Sequence, residues 1–233
     1  QLGPMRVLLL CCLSFLPDIA FAGPWPREKG TGFSAISATE DSYGDLYLEF
    51  GMGRNWTAIA EGSANHDATG HISVVLSKAF SFGRTQIALD FGLAQRSNGA
   101  AEIVYNLATY TYSYEGLWGL DLPPSELRLG LAIGRGFSSP IGSGWLTYDL
   151  SRYQIWQGLE VRHQSNLTLG VSPTPWAKTY MQLQEYKTSK QTERKLELVT
   201  GIQLIKGRHL LVGYSAPISN GNGNLRLILW QDF

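Results

Sequence analysis

Hydrophobic and polar residues alternate with a period of two in segments spread along the whole chain. The clearest segment is 86–93, in which every second residue is apolar, and similar segments are 45–50, 71–77, 127–134 and 196–204. A β-strand turns successive side chains to opposite faces, so each segment has one apolar face and one polar or small face. No stretch sustains the three- and four-residue spacing of an amphipathic helix. The pattern therefore predicts an all-β chain.

The strand segments are separated by connections of two kinds. Short connections such as 51–53 and 206–208 largely alternate with longer polar ones such as 61–70 and 217–223. This arrangement is typical of an antiparallel transmembrane β-barrel, which has tight turns at one end and larger loops at the other. At roughly 17 residues for each strand and its turn, the chain holds about 12 strands. Residues 144–172 have room for one extra pair, which leaves a barrel of about 14 strands as the alternative.

A soluble, exported sandwich or lipocalin-like barrel also alternates apolar and polar residues. In a soluble protein the apolar rows meet in the interior, whereas in a membrane barrel they face lipid. Here the apolar rows admit few polar residues, and the opposite rows are rich in Asp, Glu, Arg, Gln and Gly. The last apolar row ends on the terminal Phe233. These features favour a membrane barrel with a polar interior.

The amino-terminal region has the features of an export signal. An apolar run follows Arg6 and leads to Ala-Phe-Ala at positions 20–22, the small-x-small pattern of a cleavage site. The run is about half of the roughly 20 residues that a spanning helix needs, so it is not a permanent anchor. We expect residues 1–22 to comprise upstream residues and a cleaved signal peptide, residues 23–32 to form a periplasmic segment, and residues 33–233 to form the barrel.

Composition narrows the possible functions. Lys plus Arg and Asp plus Glu both number 19, so no net positive charge invites nucleic acid. Cys11 and Cys12 fall within the predicted signal peptide, which leaves the mature chain without a thiol for disulfides or soft metals. His66, His71 and His209 do not have the spacing of metal ligands. We therefore predict no cofactor and no metal.

Several short motifs of the mature chain resemble those of a little-characterised group of proteobacterial, porin-like outer-membrane barrels. They are the segments 23–33, 134–137, 144–145, 167–171 and 229–233. The resemblance implies a barrel in the outer membrane of a Gram-negative envelope, in contact with outer-membrane lipid, and it carries no known activity. It also implies an assembly signal that the barrel-assembly machinery recognises in the last strand, formed by Leu225, Leu227, Leu229 and Phe233.

The polar rows supply the candidate functional residues. Charged side chains there would line an aqueous lumen and select which small solutes pass or bind, without catalysis. The predicted lumen-lining residues are Asp45, Glu49, Asp90, Glu102, Arg128, Glu160, Arg162 and Glu197. A barrel of about 12 strands has a narrow lumen that side chains can fill. The same charges could therefore pair with one another and plug the barrel, which leaves a structural role as an alternative.

One constellation on an apolar row suggests chemistry. His163 and Ser165 are two residues apart, so a strand turns both to the same side, where an imidazole can activate a hydroxyl. The string His-x-Ser-Asn resembles the catalytic stretch of outer-membrane phospholipase A and, more loosely, that of the outer-membrane lipid A deacylase. The resemblance implies that His163 is the base and Ser165 the nucleophile.

The same resemblance requires a third partner that orients the histidine, and its expected position holds Ala177, which cannot accept a hydrogen bond. If residues 173–175 form a hairpin turn, the positions of cross-strand partners sum to about 348. Glu185 would then lie opposite His163 and complete a catalytic set. Lipid hydrolysis at His163, Ser165 and Glu185 is the alternative function.

Overall fold

The computed structural model describes residues 24–65, 70–97, 125–155, 161–219 and 221–233. These residues form strands that close into one antiparallel barrel, in which each strand pairs with its neighbours in the sequence and the first pairs with the last. Closure leaves no unpaired sheet edge. The strands are β1 (Gly32–Thr39), β2 (Gly44–Gly53), β3 (Trp56–Ala64), β4 (Gly70–Phe82), β5 (Thr85–Ser97), β6 (Ser125–Ser139), β7 (Gly142–Ile155), β8 (Val161–Thr174), β9 (Ala177–Lys187), β10 (Thr192–Ile205), β11 (Arg208–Pro217) and β12 (Asn224–Asp232).

The described strands number twelve, which confirms the predicted antiparallel barrel. The described residues within 144–172 belong to two long strands, β7 and β8. No extra pair of strands lies between them in this described part. The alternative of about 14 strands is therefore wrong. The predicted signal peptide lies outside the described residues. Within residues 24–233, wherever the structure describes them, no helix is long and apolar enough to cross a membrane.

The barrel has two different ends. At one end, which we call the turn end, β2–β3, β4–β5, β6–β7, β8–β9 and β10–β11 are joined by tight turns. Arg54 and Asn55 in the first of these turns have φ values of 53° and 62°, the backbone conformation that matches the twist of paired strands. The remaining connections lie at the other end, which we call the loop end. The longest of them joins Ser97 to Ser125.

The period of two separates an outer wall from an inner wall. On the outer wall Val74, Leu93 and Leu198 are 59–60% exposed. On the inner wall charged side chains are covered, and Glu197 is only 1% exposed. Apolar side chains outside and charged side chains inside are the reverse of a soluble barrel, so the soluble alternative is wrong. This arrangement suits a barrel that is surrounded by lipid.

The turn-end half of the interior contains a cluster of packed apolar side chains. Tyr180 stacks on Trp230 with ring centroids 5.8 Å apart, and Phe33 meets the Trp230 ring edge-on at 5.7 Å. We call this group the aromatic cluster; its buried members are Phe33, Val199, Leu211, Ile228 and Trp230, with Ala35, Tyr47 and Tyr180 packed against them. The cluster restricts the open part of the lumen to the loop-end half.

Candidate functional site in the barrel lumen

The loop-end half of the lumen contains a cavity of about 650 Å³. Its wall is formed mainly by carboxylates, guanidinium groups, side-chain amides and hydroxyls from all around the barrel. Asp41 and Asn224 line it near the loop end, where the Asn224 amide donates to the Asp41 carboxylate at 2.7 Å. At the opposite side of the cavity, Pro24 forms part of the floor. The cavity has the polar surface that a small hydrophilic solute requires.

Arg226 on β12 organises one side of the cavity. Its guanidinium contacts the Asp45 carboxylate at 2.6 Å and the Glu197 carboxylate at 3.2 Å. It also donates to the Ser37 hydroxyl at 2.8 Å. These contacts join four strands, because the partners lie on β2, β10 and β1. Pairing of this kind compensates the cost of burying the Glu197 carboxylate.

Two further arginine groups lie toward the β3–β8 side of the lumen. Arg128 donates to the Glu61 carboxylate and, at 3.4 Å, to a serine hydroxyl on β4. Arg162 pairs with Glu126, which also lies 3.7 Å from Arg96. Glu61 and Glu126 therefore each have an arginine partner from a different strand. These ion pairs engage the guanidinium groups of Arg128 and Arg162, so those groups are less available to an anionic solute.

Asp90 and Asp149 differ from these paired carboxylates. Both line the cavity, and neither forms an ion pair within the described part of the chain. Asp149 accepts a long hydrogen bond of 3.5 Å from the Thr147 hydroxyl, and one buried carboxylate oxygen of Asp90 has no hydrogen-bond partner. These two carboxyl groups favour cationic or hydroxyl-bearing solutes over anions in this region.

Side-chain amides from β8 and β9 cover another part of the wall. Gln182 donates to the Thr168 hydroxyl at 2.9 Å, and Gln184 donates to the Gln182 carbonyl oxygen at 2.6 Å. Gln164 and Asn166 on β8 line the same cavity. An amide both donates and accepts hydrogen bonds, so it can meet hydroxyl groups in either role. This part of the wall therefore suits an uncharged polar solute.

The amino-terminal segment, residues 24–31, lies inside the turn end of the barrel. Arg27 connects it to the wall: its guanidinium lies 2.5 Å from the Glu49 carboxylate and 3.3 Å from that of Asp232. The backbone N–H of the same arginine donates to the Thr57 hydroxyl at 3.2 Å. The sequence predicts a periplasmic location for residues 23–32, and the structure places the described part of this segment within the end of the barrel.

Two glycines of the wall make room for this segment. A Cβ atom added at Gly51 would lie 1.9 Å from the carbonyl oxygen of Glu28, and one added at Gly134 would lie 2.7 Å from the Pro24 ring and 2.8 Å from Trp25. Any other residue at these positions would push the segment away from the wall. The fit indicates that the segment occupies a prepared place in the turn end.

The predicted lumen-lining residues occupy different levels of the barrel. Those that line the cavity are Asp45, Asp90, Arg128 and Glu197. Glu49 lies at the turn end with Arg27, and Arg162 is buried against Glu126. Glu102 and Glu160 lie outside the described residues.

The predicted lumen-lining set omits several inward-facing carboxylates, among them Glu61, Asp149 and Glu126. Residues 61–70 are predicted to be a loop, but β3 continues to Ala64 and turns Glu61 into the lumen. Asp149 also faces the cavity, and the alternation of apolar and polar residues around it carries this signal. Glu126 is buried at the start of β6, close to residues 98–124, which the structure does not describe.

The outer-wall pair His163 and Ser165 points away from the lumen, but its cross-strand partners differ from the prediction. Glu185 lies opposite Ser165, and Lys187 lies opposite His163. The prediction that Glu185 faces His163 is therefore wrong. The cause is local: the turn lies at positions 175–176 and the strand register shifts just before it, so partner positions sum to 350 instead of 348. A shift of two keeps the facing and changes the partner.

The geometry does not support lipid hydrolysis at this place. His163 lies between Arg152 on β7 and Lys187 on β9, so neither directly opposed residue is a carboxylate. The Glu185 carboxylate accepts a 2.6 Å hydrogen bond from Arg194. A serine nucleophile needs a base that is itself oriented by an acceptor. Within the described residues, no such series of hydrogen bonds includes His163.

The residues of the predicted assembly signal, Leu225, Leu227, Leu229 and Phe233, lie on the outer wall and are 41–59% exposed. The backbone of Phe233 pairs with Gly32 through hydrogen bonds of 2.6 and 3.0 Å, so the last residue helps to close the barrel. Recognition by the assembly machinery stays a prediction. Among the described residues, no three His, Cys, Asp or Glu side chains are placed to hold a metal ion.

Solved structures with a similar fold are outer-membrane porins and channels. The KdgM porin, solved in complex with disordered oligogalacturonate, has a TM-score of 0.60 and 10% identity over 87% of this chain and 99% of that chain. The NanC porin has a TM-score of 0.55 and 10% identity over 87% and 98%. An outer-membrane channel from Pseudomonas putida F1 has a TM-score of 0.51 and 11% identity over 93% and 100%.

The chain has the fold of an outer-membrane porin. No protein-family model matches it, and no curated protein matches its sequence. At these identities the likeness concerns the fold alone.

Proposed function

We propose that this protein resides in the outer membrane and admits a small, uncharged or cationic polar solute into its lumen, without catalysis. The observation that carries the proposal is a polar cavity of about 650 Å³ enclosed by a wall whose outside is apolar. The fold that the chain shares with porins supports it. Export by the signal peptide in residues 1–22 and recognition of the last strand by the assembly machinery are part of this proposal.

The class of solute follows from the charges around the cavity. The KdgM porin was solved with oligogalacturonate, a chain of acidic sugars. In the present lumen Arg128 and Arg226 are bound by carboxylates, whereas Asp90 and Asp149 form no ion pair in the described residues. An anion would therefore meet carboxyl groups that no arginine neutralises directly, while hydroxyl groups or a cation would meet suitable partners.

Passage through the whole barrel requires the amino-terminal segment to move. Residues 24–31 and the aromatic cluster together fill the turn-end half of the lumen. The segment is joined covalently to β1 at Gly32, and its contacts with the wall are the ion pairs of Arg27 and a few hydrogen bonds, so it can leave while the barrel stays closed. We therefore propose that the segment is a gate at the turn end.

Planar-bilayer recording tests the proposal. Purified, folded protein is expected to give small unitary current steps with a preference for cations, and vesicles containing it should take up a neutral sugar faster than an acidic sugar of similar size. Heat-unfolded protein in the same detergent is the control. If folded protein and a variant that lacks residues 24–28 are both electrically silent and exclude both sugars, passage is rejected and a plugged, structural barrel is favoured.

A further inference from the structure

Basic residues of the outer wall form a row near the loop end. Arg152 on β7, His163 on β8 and Lys187 on β9 are directly opposite one another in the strand register and all point outward. Residues that face each other across neighbouring strands have Cα atoms about 5 Å apart, so the row spans roughly 10 Å. We call these three residues the basic row.

The basic row costs the barrel energy unless an anion is present. Like charges that are directly opposite each other on neighbouring strands destabilise a sheet. Glu185, an outward carboxylate among the described residues, lies one pleat below the row and is bound to Arg194 at 2.6 Å. Within the part of the chain that the structure describes, Arg152 has a long 3.4 Å contact to the neutral Gln154. Within the described residues, the row has no carboxylate of its own directly across the strands.

The position of the basic row along the barrel identifies the neutralising partner. Leu167 and Leu183, directly opposite each other, lie on the same outward face four residues closer to the barrel centre. At about 3.3 Å per residue, they are about 13 Å below the row. Long basic side chains at the edge of an apolar belt extend toward the polar headgroups of the membrane. The row therefore lies where lipid phosphates are found.

The basic row is confined to one sector of the barrel. In the described loop-end parts of the strands outside β7–β10, the outward-facing residues are uncharged, as Leu93, Leu127, Tyr214, Leu225 and Ala38 illustrate. Non-specific attraction to a charged membrane surface would be served by basic residues anywhere around the barrel. Basic residues in one sector alone therefore indicate that a particular headgroup is recognised there.

We propose that the basic row binds the phosphate groups of an anionic lipid in the leaflet at the loop end. Arg152 suits a phosphate because a guanidinium presents parallel N–H donors, Lys187 adds a positive charge, and His163 offers a further N–H donor. The proposal rests on the proposed location of the barrel in the outer membrane, and it does not depend on passage through the lumen. It also assigns a role to His163 that requires no partner carboxylate.

The test compares a phosphorylated lipid with its unphosphorylated form. Folded, full-length mature protein in uncharged detergent is mixed with lipid A that carries both phosphates or with dephosphorylated lipid A, and bound lipid is measured by native mass spectrometry. The triple variant Arg152→Gln, His163→Gln, Lys187→Gln is expected to bind phosphorylated lipid A at least about tenfold more weakly than wild type.

The matched control removes three exposed basic residues from the turn end: Arg84→Gln, Lys206→Gln and Arg208→Gln. This control is expected to keep wild-type binding. Should the triple variant fail to fold, Lys187→Glu serves instead, because it places a carboxylate beside His163 and should also weaken binding. Equal binding of both lipids, wild-type binding by the row variants, or displacement of the lipid by millimolar inorganic phosphate would overturn the proposal.

The lumen is untouched by these substitutions, so the conductance of the row variants should equal that of wild type. A silent wild-type protein with intact, row-dependent lipid binding would reject passage and leave this inference in place. A conducting protein whose row variants still bind the phosphorylated lipid would support passage and reject this inference.

Discussion

The two halves of the lumen are built on different physical principles. The loop-end half surrounds its cavity with ion pairs and amides, such as Arg226 with Asp45 and Gln184 with Gln182. The turn-end half excludes water by packing rings, such as Tyr180 on Trp230, and by taking in the amino-terminal segment. The same strands form both halves. This is possible because the alternation of a strand determines which residues point inward but not whether those residues are charged, polar or aromatic.

The difference between the two halves separates residues that stabilise the barrel from residues that select a solute. Apolar side chains removed from water in the turn-end half stabilise the barrel without reference to any solute. In the loop-end half, hydrogen bonds and charges remain beside an open cavity, where water can replace them at small cost. We therefore expect substitutions in the turn-end half to change unfolding and gating, and substitutions in the loop-end half to change selectivity.

The largest expected effect is on stability, from Trp230→Ala in the aromatic cluster. Removal of this buried ring leaves a void beside Tyr180 and Phe33, and should lower the free energy of unfolding by about 3–5 kcal/mol. The matched loop-end substitution, Gln184→Ala, should cost less than about 1 kcal/mol. Urea titrations of both variants in vesicles, followed by fluorescence, measure the difference. Equal costs would contradict the division of the lumen.

The next effect is on conductance, from deletion of residues 24–28. The deletion removes Arg27 and its contacts with Glu49 and Asp232 but keeps the pairing of Gly30 with the wall. The unitary conductance should rise about threefold or more, because the conductance of a narrow pore is set by its tightest part. An unchanged conductance in a folded deletion variant would show that the segment is not the gate.

A smaller change of the same kind is expected from Gly51→Ala. The new methyl group would collide with the Glu28 carbonyl oxygen and displace the segment without removing it. Gly44→Ala, on the same strand, is the control, because its Cβ would make an ordinary 3.5 Å contact with the Ser37 carbonyl oxygen. Open events should become more frequent in the first variant and stay as in wild type in the second.

The smallest expected effect is on selectivity, from the double substitution Asp90→Asn, Asp149→Asn. The change removes the two carboxylates that have no ionic partner among the described residues, and it keeps their shape. The preference for cations, measured from the reversal potential in a salt gradient, should fall by about twofold while conductance changes little. If Arg128→Gln changes the cation preference by as much, the paired charges also set selectivity, and the distinction between paired and unpaired carboxylates is wrong.

Much of the fold can be predicted from the sequence, because alternation is a local property of the chain. The inward direction of Asp45 and Asp90 and the outward direction of Leu225 follow from counting residues along a strand. The partner of His163 cannot be obtained in this way, because the shift in register just before the β8–β9 turn depends on how that turn folds. A change of two positions leaves the facing intact and replaces a carboxylate with a lysine.

The candidate site shows the same limit. Its charged residues can be recognised on the polar rows, but which of them pair is decided across the lumen, as for Arg226 with Asp45, 181 positions apart.

The sequence by itself determined that this chain forms a barrel with an apolar outside, since strand period and apolar spacing are written along the chain. Only the tertiary structure decided that residues 24–31 fill the turn end, that Asp90 and Asp149 stay outside the ion pairs among the described residues, and that three basic residues meet on the outer wall. Each of these depends on closure of the barrel and on strand register, which bring together residues that are distant in the sequence.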